Sequence, residues 1–517
     1  MTIHVDIDAG DRLVTGLDGD FAVHVTGEVQ RRIAVYKSGR VFMVQDALDH
    51  LEVETIIEVL EKRGVPVKLD SAVIVDRGTL RAMYEGKTTI ETAERVAAQP
   101  RSAELSDGEK RQDIYRLLDR GRKLSGTSDI IVKYWPDQAS VHAIVDGVQQ
   151  NWTDLQWTPE YTLEFQKAAN AWAGDEGGSA ELGWINNKHQ KGSITTGLPP
   201  GLDTVRMEFS AAAFGGKELI MRLQHRPPGG RVDLRKLHFP EPVIRSFRSI
   251  LNLSGGLIGF TGPTGHGKTN SMYGAQNESL ELFPGDRWVN IENPTEIRIR
   301  HPNVTQIDIL RVAADGDLAK AWDESLGSAM RAIPRKLIIG EVIFAHQAAT
   351  AVRAAMTGHT VLFTAHTPDP MGTIDRLLDL GISPRVLSRP SFIRALVGQR
   401  LFRCVCPHCS AKITKADWKE DMLDWLDAAF DRAPHLLLAN QTGCKHCRQG
   451  YLPGRVPVTE IVRPTRDMLE LLIAGRDDDA RLHWETKLGG ISLISQVIDG
   501  LVAGKFDPVE AIRCLDF

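Results

Sequence analysis

The stretch GFTGPTGHGKTNSM, residues 259–272, decides the fold. Its core, Gly262-Pro263-Thr264-Gly265-His266-Gly267-Lys268-Thr269, satisfies G-x-x-x-x-G-K-[ST] in full, with the strand-like GLIGF before it and helix character from Asn270 onward. In such a strand–turn–helix the glycines let backbone N–H groups turn inward on phosphates, the lysine adds a point charge, and the hydroxyl ligates Mg²⁺. The motif predicts nucleotide binding by residues 262–269, with Lys268 on the β and γ groups and Thr269 on magnesium. His266 occupies a turn where small residues are usual. The contact there comes from a backbone N–H, so its ring is expected to point away from the phosphates.

Three further apolar runs each end on a polar residue: WVNI on Glu292, KLII on Gly340 and Glu341, and TVLFT shortly before His366. Apolar strands alternating with helices indicate a parallel sheet, whose strand carboxyl ends share one rim with the phosphate loop. Glu341 is the expected carboxylate for the attacking water, because a loose phosphoryl transition state needs positioning and charge stabilisation. Glu292 and Glu296, in IENPTEI, carry two open readings: orientation of Mg²⁺ or water, or acids on a surface loop. His359 and His366 are expected to face the γ-phosphate from the shared rim.

Two pairs, Cys406-x-x-Cys409 and Cys444-x-x-Cys447, are separated by 34 residues. This ligand set predicts tetrahedral Zn²⁺, closed and structural, at the base of an insertion. DWKEDMLDWLDAAFD between the pairs has helical character. Cys404 is then a spare thiol and Cys514 a core residue.

The chain has 517 residues, 62 Lys plus Arg, 67 Asp plus Glu and a net charge of -5. That balance argues against direct nucleic-acid binding, which draws on a basic excess. MTIHVDIDAGDRLVTG lacks the basic start and apolar run of a signal peptide, and no apolar segment approaches a membrane span. The chain is expected in the cytoplasm, reaching a membrane through partners.

Residues 1–100 mix β-like runs (FAVHVTGEV, IAVYKSGRVFMV, SAVIVD) with the helical VETIIEVLEKRG, predicting a small α+β domain. A linker in AAQPRSAELSDGEK leads to a helix with Ser106 and Glu109 at capping-box spacing and an apolar face from Ile114, Leu117 and Leu118. Strand-like pieces then recur to residue 240. The expected fold class is α/β: a core of 241–400, preceded by an α+β unit of 101–240, followed by the tetracysteine insertion of 401–455 and a helical part of 456–517.

These residues resemble the hexameric ATPases of type II secretion and type IV pilus assembly, over roughly 106–513. GTSDIIVKYWPDQASVHAIVDGV resembles their N-domain segment, IENPTEI their acidic box, RKLIIGEVI their Walker B and AAMTGHTVLFTAHT their histidine box. GQRLFRCVCPHC, GCKHCRQGYLPGRVPVTEIV and GGISLISQVIDGLVAGKFDPVEAI follow in the family's order. The resemblance implies a RecA-like core, a PAS-like N-domain, ATP with Mg²⁺ as substrate, and a homo-hexamer. Nucleotide would lie between the two domains of one chain, with Arg222 and Arg206 closing over it. EFS at 208–210 departs from the family's Arg-x-Ser. The cysteine-bearing insertion is similar to that of the secretion and pilus-extension members.

The partners so implied are an inner-membrane platform protein, met through residues 1–100, and indirectly pilin or pseudopilin. Asn293 replaces the family's aspartate, and VIF at 342–344 replaces Ile-Arg-Asp after Glu341. These departures keep open a nucleotide-gated scaffold with weak turnover, and a conjugation or type IV secretion ATPase stands as a further alternative.

Overall fold

Gly256–Thr261, the strand that enters the phosphate loop, is buried along its length. In the computed structural model it lies inside a seven-stranded sheet ordered Val304–Asp308, Trp288–Glu292, Lys336–Glu341, Thr360–Ala365, Gly256–Thr261, Ile393–Val405, Tyr451–Val462. The structure describes residues 13–15, 23, 25–44, 47, 51–69, 72–75, 77–90, 107–174, 179–180, 184–185, 187–313, 317–389, 391–420 and 422–515. The first six strands of the sheet run parallel, and Tyr451–Val462 pairs antiparallel with Ile393–Val405.

Parallel strands need crossovers, and helices accordingly cover both faces. Successive side chains point to opposite faces, so Leu257, Ile339 and Phe363 pack against Trp322 and Ala348. Ile258, Ile338 and Leu362 instead meet Phe247, Met272 and Tyr273. Burial on both sides is why these strands read as unbroken apolar runs. The helix after the phosphate loop, Lys268–Leu282, is buried on nearly every side. A Cβ on its Gly274 would sit 2.3 Å from Leu234, so that glycine lets the connector before the core pack closely.

A second seven-stranded sheet, wholly antiparallel, is ordered Val148–Asn151, Ala139–Val145, Thr127–Tyr134, Lys217–His225, Leu202–Ala211, Gln190–Ile194, Ser179–Ala180. Helices Asp107–Lys123 and Pro159–Gly174 cover one face, where Ile114, Leu117 and Leu118 meet Ile130, Met221 and Phe165. The alternation sends Asp129, Arg206 and Arg222 to the other face. Ser106 and the expected linker before residue 107 lie outside the described residues.

Nearer the start, Ile33–Val35 and Val41–Met43 form a hairpin joined in parallel by Val73–Ile74, with helices Leu51–Lys62 and Arg77–Tyr84. FAVHVTGEV departs from expectation: its end forms the helix Gly27–Gln30, because the Thr26 side chain accepts from the Val29 N–H as an N-cap. Part of that run lies outside the described residues. Between the cysteine pairs the helix is shorter than expected, Asp424–Arg432, beside a small sheet of Ala411–Ile413 and Leu436–Leu438. Leu426, Phe430 and Leu436 share one core with Phe402, Val497, Leu501 and Phe506, so this stretch packs against the C-terminal helices. No helix among the described residues is long and apolar enough to cross a membrane.

Candidate functional site

The phosphate loop bends through Gly262, Gly265 and Gly267, at φ of 141°, 78° and 74°. A Cβ at Gly262 would lie 2.4 Å from the Gln399 carbonyl oxygen, so close approach as well as the turn requires glycine there. Gly267 caps the helix Lys268–Leu282, whose first N–H groups point back into the loop with the positive end of its dipole. Pro263 and Thr264 form the outer turn, and Thr269 is the helix's second residue.

Lys268 is buried, and its Nζ donates to the Gly262 and Pro263 carbonyls at 2.6 and 2.9 Å. Burial lowers its pKa to about 8, opposed by Glu341 and Glu296. Its Nζ also lies 3.2 Å from His366 Nδ1, and the Thr264 hydroxyl lies 3.4 Å from the same nitrogen. On its other side His366 Nε2 contacts Glu341 Oε1. One tautomer satisfies all three contacts: Nε2–H donates to Glu341 while Nδ1 accepts. The bond from His366, with the Lys268 charge, holds the Glu341 carboxyl below its ordinary pKa. The sequence VIF after Glu341 splits: Val342 enters the core, while Ile343 and Phe344 are exposed.

His359 needs a correction. It precedes the strand Thr360–Ala365, and its backbone carbonyl accepts from the Gly256 N–H at that strand's amino end. Its Nδ1 lies 3.1 Å from the Thr357 hydroxyl and 3.2 Å from the Ala354 carbonyl. Six residues of extended chain, roughly 20 Å, separate it from the rim that His366 reaches.

Glu292 ends its strand buried, accepting from the Tyr273 hydroxyl, and burial raises its pKa to about 7. Glu296 faces the antiparallel sheet, 3.8 Å from Arg206. Arg206 also donates to the Pro294 and Thr295 carbonyls at 3.2 and 3.0 Å. Arg222 is its direct cross-strand neighbour, half exposed and bonded to Asp129 at 2.9 Å. The acidic-box loop, containing Asn293, thus lies against Arg206 of the second sheet, with Arg222 on the neighbouring strand.

The loop's supports lie in GQRLFRCVCPHC and GCKHCRQGYLPGRVPVTEIV, to which the sequence assigns no role at the nucleotide. Gln399 donates to the His266 carbonyl at 2.6 Å and accepts from the Ser271 hydroxyl at 2.6 Å. His266 Nδ1 accepts from the Leu401 N–H at 2.9 Å, so its ring turns toward that strand. Burial, then Arg400 and Arg455, lower its pKa to about 4 and keep it a neutral acceptor. Arg455 reaches the Gly265 carbonyl at 3.2 Å. Gln399, Leu401 and Arg455 come from the strands Ile393–Val405 and Tyr451–Val462.

The four cysteines gather as a second site. Sγ atoms of Cys406 and Cys444 are 3.8 Å apart, those of Cys409 and Cys447 3.6 Å, and those of Cys444 and Cys447 3.7 Å. A tetrahedral ion with Zn–S bonds of about 2.3 Å requires sulfurs roughly 3.8 Å apart, so the donor set fits zinc. The Cys444 N–H bonded to Cys447 Sγ at 3.1 Å belongs to the same knuckle. Cys404 and Cys514 lie away from this cluster in the neighbouring core.

A protein-family model described as "Type II/IV secretion system protein" matches residues 183–510. The chain belongs to this family. A type IV pilus assembly ATPase of Acinetobacter baylyi is 30% identical over 418 residues, covering 78% of this chain and 65% of the relative. The chain thus spans less than two thirds of that relative's length. A type II secretion system ATPase E of Vibrio cholerae is 27% identical, covering 72% of this chain and 70% of its own. Among solved structures, the ATPase DotB of Legionella pneumophila superposes with a TM-score of 0.51 at 16% identity, over 77% of this chain and 94% of that one. This likeness bears on the fold, and it agrees with the α/β, RecA-like expectation.

Proposed function

We propose that this member of the secretion family is a Mg²⁺-dependent ATPase motor that drives assembly of a type IV pilus or type II pseudopilus. The convergence of Lys268, Thr264 and Glu341 on His366, at the rim that carries the phosphate loop, carries the reading. Backbone N–H groups and Lys268 would hold the phosphates, and Thr269 would ligate Mg²⁺. Glu341, kept ionised by His366, accepts a hydrogen bond from the attacking water and orients it in line. Glu292 and Glu296 shape the flank, and Arg206 and Arg222 close over the nucleotide from the second sheet.

The names of the Acinetobacter and Vibrio relatives support the motor role. We further propose a homo-hexamer, a cytoplasmic motor held to the inner membrane by a platform protein through residues 1–100, and pilin or pseudopilin as indirect load. The functional units are 1–100, 101–240, 241–400, 401–455 and 456–517. Zn²⁺ on Cys406, Cys409, Cys444 and Cys447 is structural.

Lys268→Ala tests the reading through nucleotide affinity and phosphate release with Mg²⁺-ATP. The expected result is turnover by the wild type and loss of binding in the variant. Tight binding without turnover by assembled wild-type rings would replace the motor with a nucleotide-gated scaffold.

A further inference from the structure

Among the described residues the second sheet touches the ATPase core through Arg206 on the acidic-box loop and, separately, at the hairpin turn that closes the N-domain segment GTSDIIVKYWPDQASVHAIVDGV. That turn is Asp146-Gly147, between Ala139–Val145 and Val148–Asn151. Both turn residues have positive φ, 51° and 79°, the two-residue hairpin conformation that Asp-Gly favours. The Asp146 side chain is nearly buried. Its Oδ1 lies where a Cβ on Gly126 would fall, 2.2 Å away, so glycine at 126 makes room for it. Its Oδ2 accepts from the Gly454 N–H at 3.2 Å and lies 3.7 Å from Arg448 NH1. Arg448 NH1 also donates to the Ser125 carbonyl at 2.6 Å.

Arg448 directly follows the metal ligand Cys447. A tight turn, Gln449 at φ 47° and Gly450 at φ 83°, returns the chain so that Arg448 and Tyr451 exchange backbone hydrogen bonds. The Gly450 carbonyl accepts from the Cys406 N–H at 2.8 Å. The tetracysteine cluster therefore fixes where Arg448 stands. Downstream, Arg455 bonds Gly265 of the phosphate loop, and its guanidinium lies 3.2 Å from the place of a Cβ on Gly147. Along the sheet, Thr127 pairs with Val145, and Asp129 with Arg222. Asp146, Arg206 and Arg222 thus lie toward one end of the sheet, where it meets the core.

We propose that Asp146 and Arg448 are positioning residues: they latch the second sheet onto the knuckle after Cys447, so that the loaded cysteine site seats Arg206 and Arg222 over the nucleotide. This rests on the motor reading above. The latch acts through geometry and touches no phosphate. Its effect should appear as weaker nucleotide binding and higher KM, with kcat less changed.

Asp146→Asn keeps the turn, because Asn shares Asp's tolerance of positive φ, while removing the charge. Arg448→Gln removes the partner. A fluorescent ATP analogue with Mg²⁺ measures affinity, and hydrogen exchange of the peptide carrying Gly454 reads the latch itself. Each substitution should weaken binding about fivefold, and the double variant no further than either one. Exchange at Gly454 should rise while thermal stability holds. Stripping the cysteine site with a zinc chelator should lower wild-type affinity to the Arg448→Gln level and leave that variant where it was. Unchanged affinity in both single variants, additive losses, or equal chelator sensitivity in wild type and Arg448→Gln would overturn the latch. Lys268→Ala separates the two readings: if the wild type binds no better than this variant, the motor reading itself has failed.

Discussion

The two ends of the strand Thr360–Ala365 carry two histidines with different surroundings. At the carboxyl end, His366 joins Lys268 and Thr264 of the phosphate loop and Glu341 of the strand Lys336–Glu341. At the amino end, the His359 ring bonds to its own turn, at Thr357 and Ala354. Parallel strands explain the difference. Each of the six parallel strands delivers its carboxyl end to the rim of the phosphate loop and its amino end to the opposite edge. Function should therefore be sensitive at one end and stability at the other.

The largest effect expected of this contrast is at His366. His366→Ala removes the contact that holds Glu341 and a partner of Lys268, and should lower kcat by about two orders of magnitude with the fold intact. Turnover within threefold of wild type would break the contrast. At Glu292 the expectation concerns stability. Its pKa is about 7 in the folded chain and ordinary when unfolded, so the folded state binds more protons and stability falls as pH rises from about 4.5 to 7. Above pH 7 the cost is complete, up to about 3 kcal/mol. Glu292→Gln keeps a partner for the Tyr273 hydroxyl and should raise the denaturation midpoint at pH 8, with little gain at pH 4.

Lys268 gives a smaller, pH-dependent effect. With its pKa lowered to about 8, nucleotide affinity should fall by up to about tenfold per pH unit above that value. A flat affinity between pH 7 and 9.5 would show that the ammonium is not the phosphate ligand. The smallest effect belongs to His359. His359→Ala should cost about 1 kcal/mol of stability through its two local hydrogen bonds and leave kcat within twofold.

Much of the core was legible because it is buried on both faces. GLIGF, WVNI, KLII and TVLFT read as strands, and their polar ends fell on the rim, except that strand length carried His359 to the far edge. That distance is set by the extended chain, and no motif records it. Val304–Asp308, Ile393–Val405 and Tyr451–Val462 were not expected as strands, so Gln399, Leu401 and Arg455 were missed as supports of the phosphate loop. Neither the glutamine nor the arginine carries a pattern that spacing can mark. The cysteine pairs were legible because metal geometry fixes their spacing, whereas the Asp146 to Arg448 contact joins residues 302 positions apart. Thr26 capping a helix inside a β-like run shows the same limit at short range.

Hydrolysis is proposed to depend on Glu341 at the rim. Phosphate release and nucleotide affinity, measured side by side for wild type and Glu341→Gln, test it most directly. Near wild-type affinity for Mg²⁺-ATP and a loss of turnover on the order of a hundredfold or more are expected. Undiminished phosphate release by Glu341→Gln would contradict it.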